Sequence, residues 1–239
     1  MRLKAGATLV LIATLGFVLS PLLTSGFNGF TPGQFPVPQV NPPVQPEGYA
    51  FSIWGVIYLW LIISAGFGLW QAAEDPDWQA ARLPLAISLI IGCFWIKAAN
   101  EAPVLATVMI VAMAAAATAA MLRAGNTQPW LQARPIALYA GWLTAATGVA
   151  IGVILGGYAI LSAQAAALGC LVAVLVVALV VQSARPREWG YPLAIIWALV
   201  AVIVANLPAA NIPVIALAAL GIAALTLRAA QSLVKGADR

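Results

Sequence analysis

Eight apolar runs of 17–25 residues occupy most of the chain, and they limit its possible folds more than any other feature. A helix needs about 20 apolar residues to cross the hydrocarbon core of a bilayer. Inside the bilayer a run of this length must satisfy its own backbone hydrogen bonds, which favours helix. The sequence therefore predicts an all-α, polytopic transmembrane helix bundle of about eight spans, at residues 5–24, 49–72, 83–99, 103–122, 134–155, 158–182, 190–206 and 210–229.

The composition excludes a soluble domain. Only 8% of the 239 residues are charged, against about 25% in ordinary soluble domains, and no polar block is long enough to fold separately. Arg2 and Lys4 precede an apolar stretch, as in a secretory signal, but no small-residue cleavage site follows. Residues 5–24 are therefore predicted to be a retained first span, with Pro84, Pro103, Pro135 and Pro192 near later helix starts.

The positions of the basic residues predict the orientation. With a cytoplasmic N-terminus and eight spans, Lys97 alone lies on the outer side, and ten basic residues lie on the cytoplasmic side. Such a bias is typical of multi-pass proteins and predicts that both termini are cytoplasmic, in the cell (inner) membrane. The ten are Arg2, Lys4, Arg82, Arg123, Arg134, Arg185, Arg187, Arg228, Lys235 and Arg239.

The chain lacks the residues that most catalytic and metal sites require. The chain has no histidine, so His-ligated zinc, His-ligated haem and His-based triads are excluded. Its cysteines, Cys93 and Cys170, lie in separate apolar runs and are interpreted as packing residues. Basic residues form no cluster suited to nucleic acid. We expect no enzyme, no metal site, no nucleic-acid partner and no required cofactor.

Aromatic residues are the main candidates for function. Phe51, Trp54 and Tyr58 have i, i+3, i+7 spacing and share one face of the second span. Trp95 and Trp142, in the third and fifth spans, are the other tryptophans interpreted as pocket residues, because flat aromatic walls suit a flat apolar ligand. Interfacial or packing positions are favoured for Trp70, Trp78, Trp130 and Trp189.

Two further segments have open interpretations. The Pro-rich loop at residues 25–48 is either a passive tether or a lid over a pocket in the membrane. Gly148, Gly152 and Gly156 form two overlapping G-x-x-x-G steps that permit close helix approach. An intramolecular contact is favoured over a homodimer contact, because a bundle of eight helices has many internal neighbours.

The segment at residues 46–58, PEGYAFSIWGVIY, resembles the start of the second span in the TspO/MBR family, the tryptophan-rich sensory proteins related to the mitochondrial translocator protein. The fifth span is similar to the family's Tyr-x-x-Trp-x-x-x-Ala pattern at Tyr139, Trp142 and Ala146. Trp95 resembles the tryptophan of its Asn-x-x-Trp motif.

The sequence departs from the family pattern at several positions. Tyr49 replaces a tryptophan, and Gly92 and Ala150 stand where the family has asparagine. Family members have five spans, so the resemblance predicts a five-helix core over residues 1–156. Three additional spans and a short tail would then follow at residues 157–239.

The resemblance implies a membrane protein that binds or senses an apolar planar ligand of the tetrapyrrole or sterol kind. Without histidine, a porphyrin would be held by stacking and shape, and a lipid is the other candidate ligand. The alternatives are an accessory subunit of a larger membrane complex and a passive transporter of a small apolar solute. A homodimer also stays open. The predicted ligand residues are Tyr49, Phe51, Trp54, Tyr58, Trp95, Tyr139 and Trp142.

Overall fold

The computed structural model describes the backbone of residues 2–237 and the side chains of residues 4–232. Within that part the fold is all-α, as predicted. Seven of the helices are long and apolar enough to span a membrane, and α7, with 17 residues, is slightly shorter. The helices are α1 Arg2–Leu19, α2 Ile53–Trp70, α3 Pro76–Glu101, α4 Pro103–Arg123, α5 Ala133–Gly157, α6 Ala163–Ala184, α7 Gly190–Asn206 and α8 Ile212–Ala237.

Helix α5 lies at the centre of the bundle. It packs against α4, α6 and α7, with a smaller contact to α2, and most of its side chains are buried. Small residues allow this packing, because a Cβ at Gly141 would overlap the backbone of Tyr191 in α7, and a Cβ at Gly148 would overlap Val174 in α6. Of the three glycines in the predicted steps, Gly148 makes such a helix contact, whereas Gly152 and Gly156 lie against Val44 and Gln39 of loop 25–48; the homodimer alternative stays open.

The start of the third span is a correction. The prediction placed it at residue 83 with Pro84 near its start, whereas α3 begins at Pro76 and Pro84 lies inside the helix. Asp75 is the N-cap and accepts a hydrogen bond from the amide of Asp77 at 2.9 Å, followed by proline at the first helical position. Arg82 is therefore buried in the helix, where it donates to the carbonyls of Ala72 (2.6 Å) and Ala73 (2.8 Å) after α2.

Loop 25–48 packs across one end of the bundle, which we call the outer end; the opposite end is the inner end. Phe30, Phe35 and Val44 of this loop are buried. Its hydrogen bonds reach three different helix ends: Gln34 Nε2 donates to the Ala99 carbonyl (2.8 Å), Val37 N to Gly157 (2.9 Å), and Asn206 Nδ2 to the Pro43 carbonyl (2.9 Å). The loop is therefore a cover over the helix ends rather than a slack connection.

Orientation in the membrane is tested by reporter fusions. We expect signal from a reporter that is active only outside the cytoplasm when it is inserted at residue 40. The same reporter after residue 239 should be silent, because the basic residues favour a cytoplasmic inner end. Signal at both positions would contradict the even number of spans.

Candidate functional site: an aromatic cavity beneath the outer loop

A small cavity lies between loop 25–48 and the outer halves of the helices. The turn before α2 and its first residues contribute Phe51 and Trp54, α3 contributes Trp95, and α5 contributes Trp142. The loop closes the cavity with Phe27 and Phe30, and aliphatic residues of α4, α5 and α7 complete its wall. The three tryptophans interpreted as pocket residues therefore converge.

The rings around the cavity meet mainly edge to face. Trp54 and Trp142 have ring centroids 6.1 Å apart at an interplanar angle of 84°. Phe51 contacts Trp142 at 6.0 Å, and Phe27 links Phe51 (6.1 Å) to Trp95 (4.9 Å). T-shaped contacts at these separations are favourable for aromatic pairs. The aromatic residues thus form one continuous network from α3 to α5.

Trp142 of the cavity wall has a buried indole N–H group without a hydrogen-bond acceptor. Its side chain is 2% exposed, and no described protein group accepts a hydrogen bond from its indole Nε1. Other indoles are satisfied: Trp95 Nε1 donates to the Ala106 carbonyl and Trp197 Nε1 to the Ala50 carbonyl, both at 2.9 Å. A buried donor without a partner is unfavourable, so this position suits a ligand that supplies an acceptor.

Gln45 provides the complementary group. Its side chain comes from loop 25–48 and lines the same cavity. Its Oε1 is buried and has no donor among the described residues. Two residues of the cavity wall thus have a buried polar atom with no partner among the described residues, a donor on Trp142 and an acceptor on Gln45.

Two predicted residues lie behind the cavity wall. Tyr58 stacks on Trp54 at 5.2 Å with an interplanar angle of 25°. Tyr139 is fully buried, and its hydroxyl lies 2.9 Å from Ser88 Oγ. Phe17 of α1 contacts Trp54, Tyr58 and Tyr139. These residues position the Trp54 ring rather than line the space beside it.

Tyr49 lies away from the cavity. It is 42% exposed and packs against Trp197 of α7 at 5.5 Å. The prediction assumed that the second span begins at residue 49, but residues Gly48–Ser52 form a 3₁₀ turn and α2 begins at Ile53. Residues 49 and 51 are two apart, so they point to different sides in a 3₁₀ turn, as they would in an α-helix. Phe51 therefore faces the cavity and Tyr49 does not.

Sequence reasoning left the role of loop 25–48 open and did not name the residues that α1 and this loop contribute. Phe27 and Phe30 line the cavity, and Phe17 supports Trp54. The available signal was the FNGF segment at residues 27–30, two aromatic residues separated by Asn-Gly at the start of a loop with no charged residue before Glu47. Buried aromatic residues in a loop indicate a cover that packs on a core rather than a tether.

The cavity is nearly filled by its own side chains. Its free volume is about 40 Å³, whereas pockets for small organic ligands are typically about 300–1,000 Å³. Since the rings occupy the space, a planar ligand fits only after loop 25–48 and some of the rings have separated. The structure therefore describes a closed form of the candidate site.

Trp70, Trp78, Trp130 and Trp189, which were predicted to be interfacial or packing residues, lie outside the cavity. Trp70 is 81% exposed, and Trp78 is buried against Phe67. Trp130 and Trp189 form a cluster near the inner end with Trp60, and the guanidinium carbon of Arg134 lies 3.9 Å from the ring centroid of Trp130. A cation over an indole face is a favourable contact.

The fold and the cavity define a polytopic helical membrane protein built around a central aromatic cluster. The chain belongs to the family described as TSPO-like protein, whose model matches residues 7–231. The resemblance to TspO/MBR proteins is thereby confirmed, and the match continues through α6 and α7 into α8. The proposed division after residue 156 stays a prediction. Searches of the curated proteins and of the solved structures find no match.

Proposed function

We propose that this protein binds an apolar planar ligand, of the tetrapyrrole or sterol kind, between Trp54, Trp95 and Trp142 beneath loop 25–48. The observation that carries the proposal is the unpaired indole donor of Trp142 inside an aromatic wall. An unsatisfied buried donor is unfavourable in a cluster that serves only for packing. A largely apolar ligand with one hydrogen-bond acceptor would satisfy it.

Binding follows from the chemistry of the wall. The aromatic faces would stack on a flat ring, each contact contributing about 0.5–1.5 kcal/mol beyond area burial. Trp142 Nε1 would donate to a pyrrole nitrogen, a carboxylate or a sterol oxygen, and Gln45 Oε1 would accept from a ring N–H or hydroxyl. No reaction is required of these groups, so the proposed activity is binding, with sensing as its use.

Access to the site depends on loop 25–48. Its hydrogen bonds reach the ends of α3, α5 and α7, but residues 25–46 contain no charged group that would anchor it through ion pairs. Its buried phenylalanines leave the cavity when the loop lifts, and the ligand would replace their contacts with Trp95 and Phe51. A loop held by apolar packing can thus exchange places with an apolar ligand.

Titration with a metal-free porphyrin tests the proposal. We expect saturable quenching of tryptophan fluorescence and a shifted porphyrin absorbance with the wild-type chain. Trp54→Leu and Trp142→Leu should each weaken binding about tenfold, because each removes a stacking face. Trp142→Phe keeps a ring but removes the donor, and it should weaken binding less than Trp142→Leu does.

Trp70→Leu is the matched control, because it removes an equally large ring that is 81% exposed and outside the cavity. It should leave affinity unchanged. A sterol competing for the porphyrin site would extend the ligand class. Equal affinity in wild type, Trp54→Leu and Trp142→Leu would contradict the proposal and would favour an accessory subunit in a larger membrane complex.

A further inference from the structure

A second, larger cavity lies between α4 and α6. These two helices diverge over α5, which forms the floor, and the resulting α4–α6 cleft has a volume of about 630 Å³. Along α4 it extends from Val111 to Leu122, about 16 Å at 1.5 Å per residue. That length is about half of the ~30 Å hydrocarbon core of a bilayer. The cleft is therefore as long as one lipid tail.

The lining of the α4–α6 cleft differs from that of the aromatic cavity. Among the described residues that line it none is aromatic, and small residues leave it wide: Ala115 and Ala119 on α4, and Gly169 and Ala173 on α6. The few polar groups are threonines; Thr144 and Thr147 already donate to the carbonyls of Ala140 and Leu143. A flexible hydrocarbon chain suits such walls, whereas a flat ring would find no stacking partner.

The two ends of the cleft differ in charge. At the outer end Leu155 and Leu161 line it, and neither residues 156–163 nor loop residues 25–46 contain a charged side chain. At the inner end Arg123 directly follows Leu122, the last residue of α4 that lines the cleft. The charged groups at the ends of the α4 and α6 walls therefore lie at the inner end, while Lys97 is on α3, which does not line the cleft.

Arg185 closes the cleft at the same inner end. Its Nη1 donates to the carbonyl of Ala124 at 2.9 Å, which ties the end of α6 to the end of α4. The nearby acidic groups are already engaged: Glu188 lies 3.7 Å from Arg185 Nη2, and Asp77 Oδ2 accepts from the amides of Asn126 and Thr127. With exposed Arg123 and Arg187 added, the inner end keeps a net positive charge.

We propose that the α4–α6 cleft is a binding site for an anionic phospholipid, with one acyl chain between α4 and α6 and the phosphate beside Arg123 and Arg185. Cleft length and aliphatic lining select the chain, and the positive inner end selects the headgroup. The site is independent of the aromatic cavity, since α6 forms one of its walls and none of the three proposed ligand tryptophans lines it. The lipid would fill the gap that α4 and α6 leave on α5.

Native mass spectrometry of the full chain in detergent tests this site. The probe is an equimolar mixture of phosphatidylglycerol and phosphatidylcholine with identical acyl chains. We expect one retained phospholipid per chain, with phosphatidylglycerol preferred roughly fivefold. Arg123→Gln should still retain a lipid, but the ratio of phosphatidylglycerol to phosphatidylcholine retained should fall towards one, because the change removes a charge without altering the cleft.

Gly169→Leu with Ala173→Leu should abolish retention of both lipids, because the added side chains fill the cleft. Gly169 and Ala173 are exposed, and a Cβ at Gly169 meets nothing within 4 Å, so the added side chains extend into the cleft rather than into the packed core. Gly55→Leu is the matched control, since Gly55 is also open but lies on α2, outside the cleft. Thr118→Leu also narrows the cleft, from the α4 side, and replaces the double variant in this test if that variant is unstable.

Three results would overturn the lipid proposal. Retention in the cleft variants equal to wild type would place the lipid elsewhere. Equal retention of the two lipids by the wild-type chain would contradict the proposed preference for an anionic headgroup. A wild-type dimer without lipid adducts, lost in the cleft variants, would show that a second copy fills the cleft. Porphyrin affinity should be unchanged in the cleft variants, which separates this site from the aromatic cavity.

Discussion

Gly141→Val is expected to prevent assembly of a stable bundle, or to lower its melting temperature in detergent by about 10 °C or more. Gly141 lies on α5 where the backbone of α7 crosses it, and an added Cβ would overlap the carbonyl oxygen of Tyr191. Backbone cannot rotate aside as a side chain can, so α7 itself would have to move. Because α7 also packs on α8, the displacement would spread through that half of the bundle.

Gly66→Val is the control for this prediction. Gly66 lies inside α2, and a Cβ there meets nothing within 4 Å. Both variants make the same Gly-to-Val change in a helix, so their difference in melting temperature isolates the contact with Tyr191. Equal melting temperatures would mean that α5 and α7 are further apart than the structure places them.

The sequence predicted the helices well because their signal is physical and local. A run of about 20 apolar residues has few folds other than a transmembrane helix, and all eight predicted spans coincide with helices. The start of α3 was missed because Arg82 was interpreted as a loop charge that ends an apolar run. The decisive local signal was the Asp75–Pro76 cap, whereas the burial of Arg82 depends on the end of α2, which sequence alone does not place beside it.

The candidate site could be predicted only in part. The convergence of Trp54, Trp95 and Trp142 followed from their spans and from the family resemblance. Tyr49 was misplaced because it was included as the residue that replaces the family's tryptophan, although residues 49 and 51 point to different sides of any helical turn. The contribution of Phe27 depends on the path of loop 25–48 across the bundle, and helical periodicity contains no information about that path.

The unpaired indole of Trp142 shows the same limit. Sequence identifies a tryptophan in a span, but whether its Nε1 has a partner depends on which carbonyl lies opposite. Trp95 finds the carbonyl of Ala106 in α4, while Trp142 faces the cavity. The proposed ligand chemistry therefore rests on tertiary placement rather than on residue type.

Gly152→Leu is expected to lower the melting temperature by about 5 °C and to detach loop 25–48. A Cβ at Gly152 would lie 3.0 Å from the side chain of Val44, which is buried against α5. The longer leucine side chain needs space that Val44 now occupies. The loop can yield more easily than a helix, so the destabilisation should be smaller than for Gly141→Val.

Limited proteolysis with chymotrypsin measures the loop directly, because Phe30, which is followed by Thr31 and can be cleaved, is buried in the structure. We expect cleavage within residues 25–48 to be several times faster in Gly152→Leu than in wild type. Gly66→Leu should leave cleavage unchanged, since that position is open. If Gly152→Leu melts at the wild-type temperature and resists cleavage, this face of α5 contacts lipid, and the loop does not cover the aromatic cavity. If the loop does detach, porphyrin should associate faster with the variant, because opening no longer precedes binding.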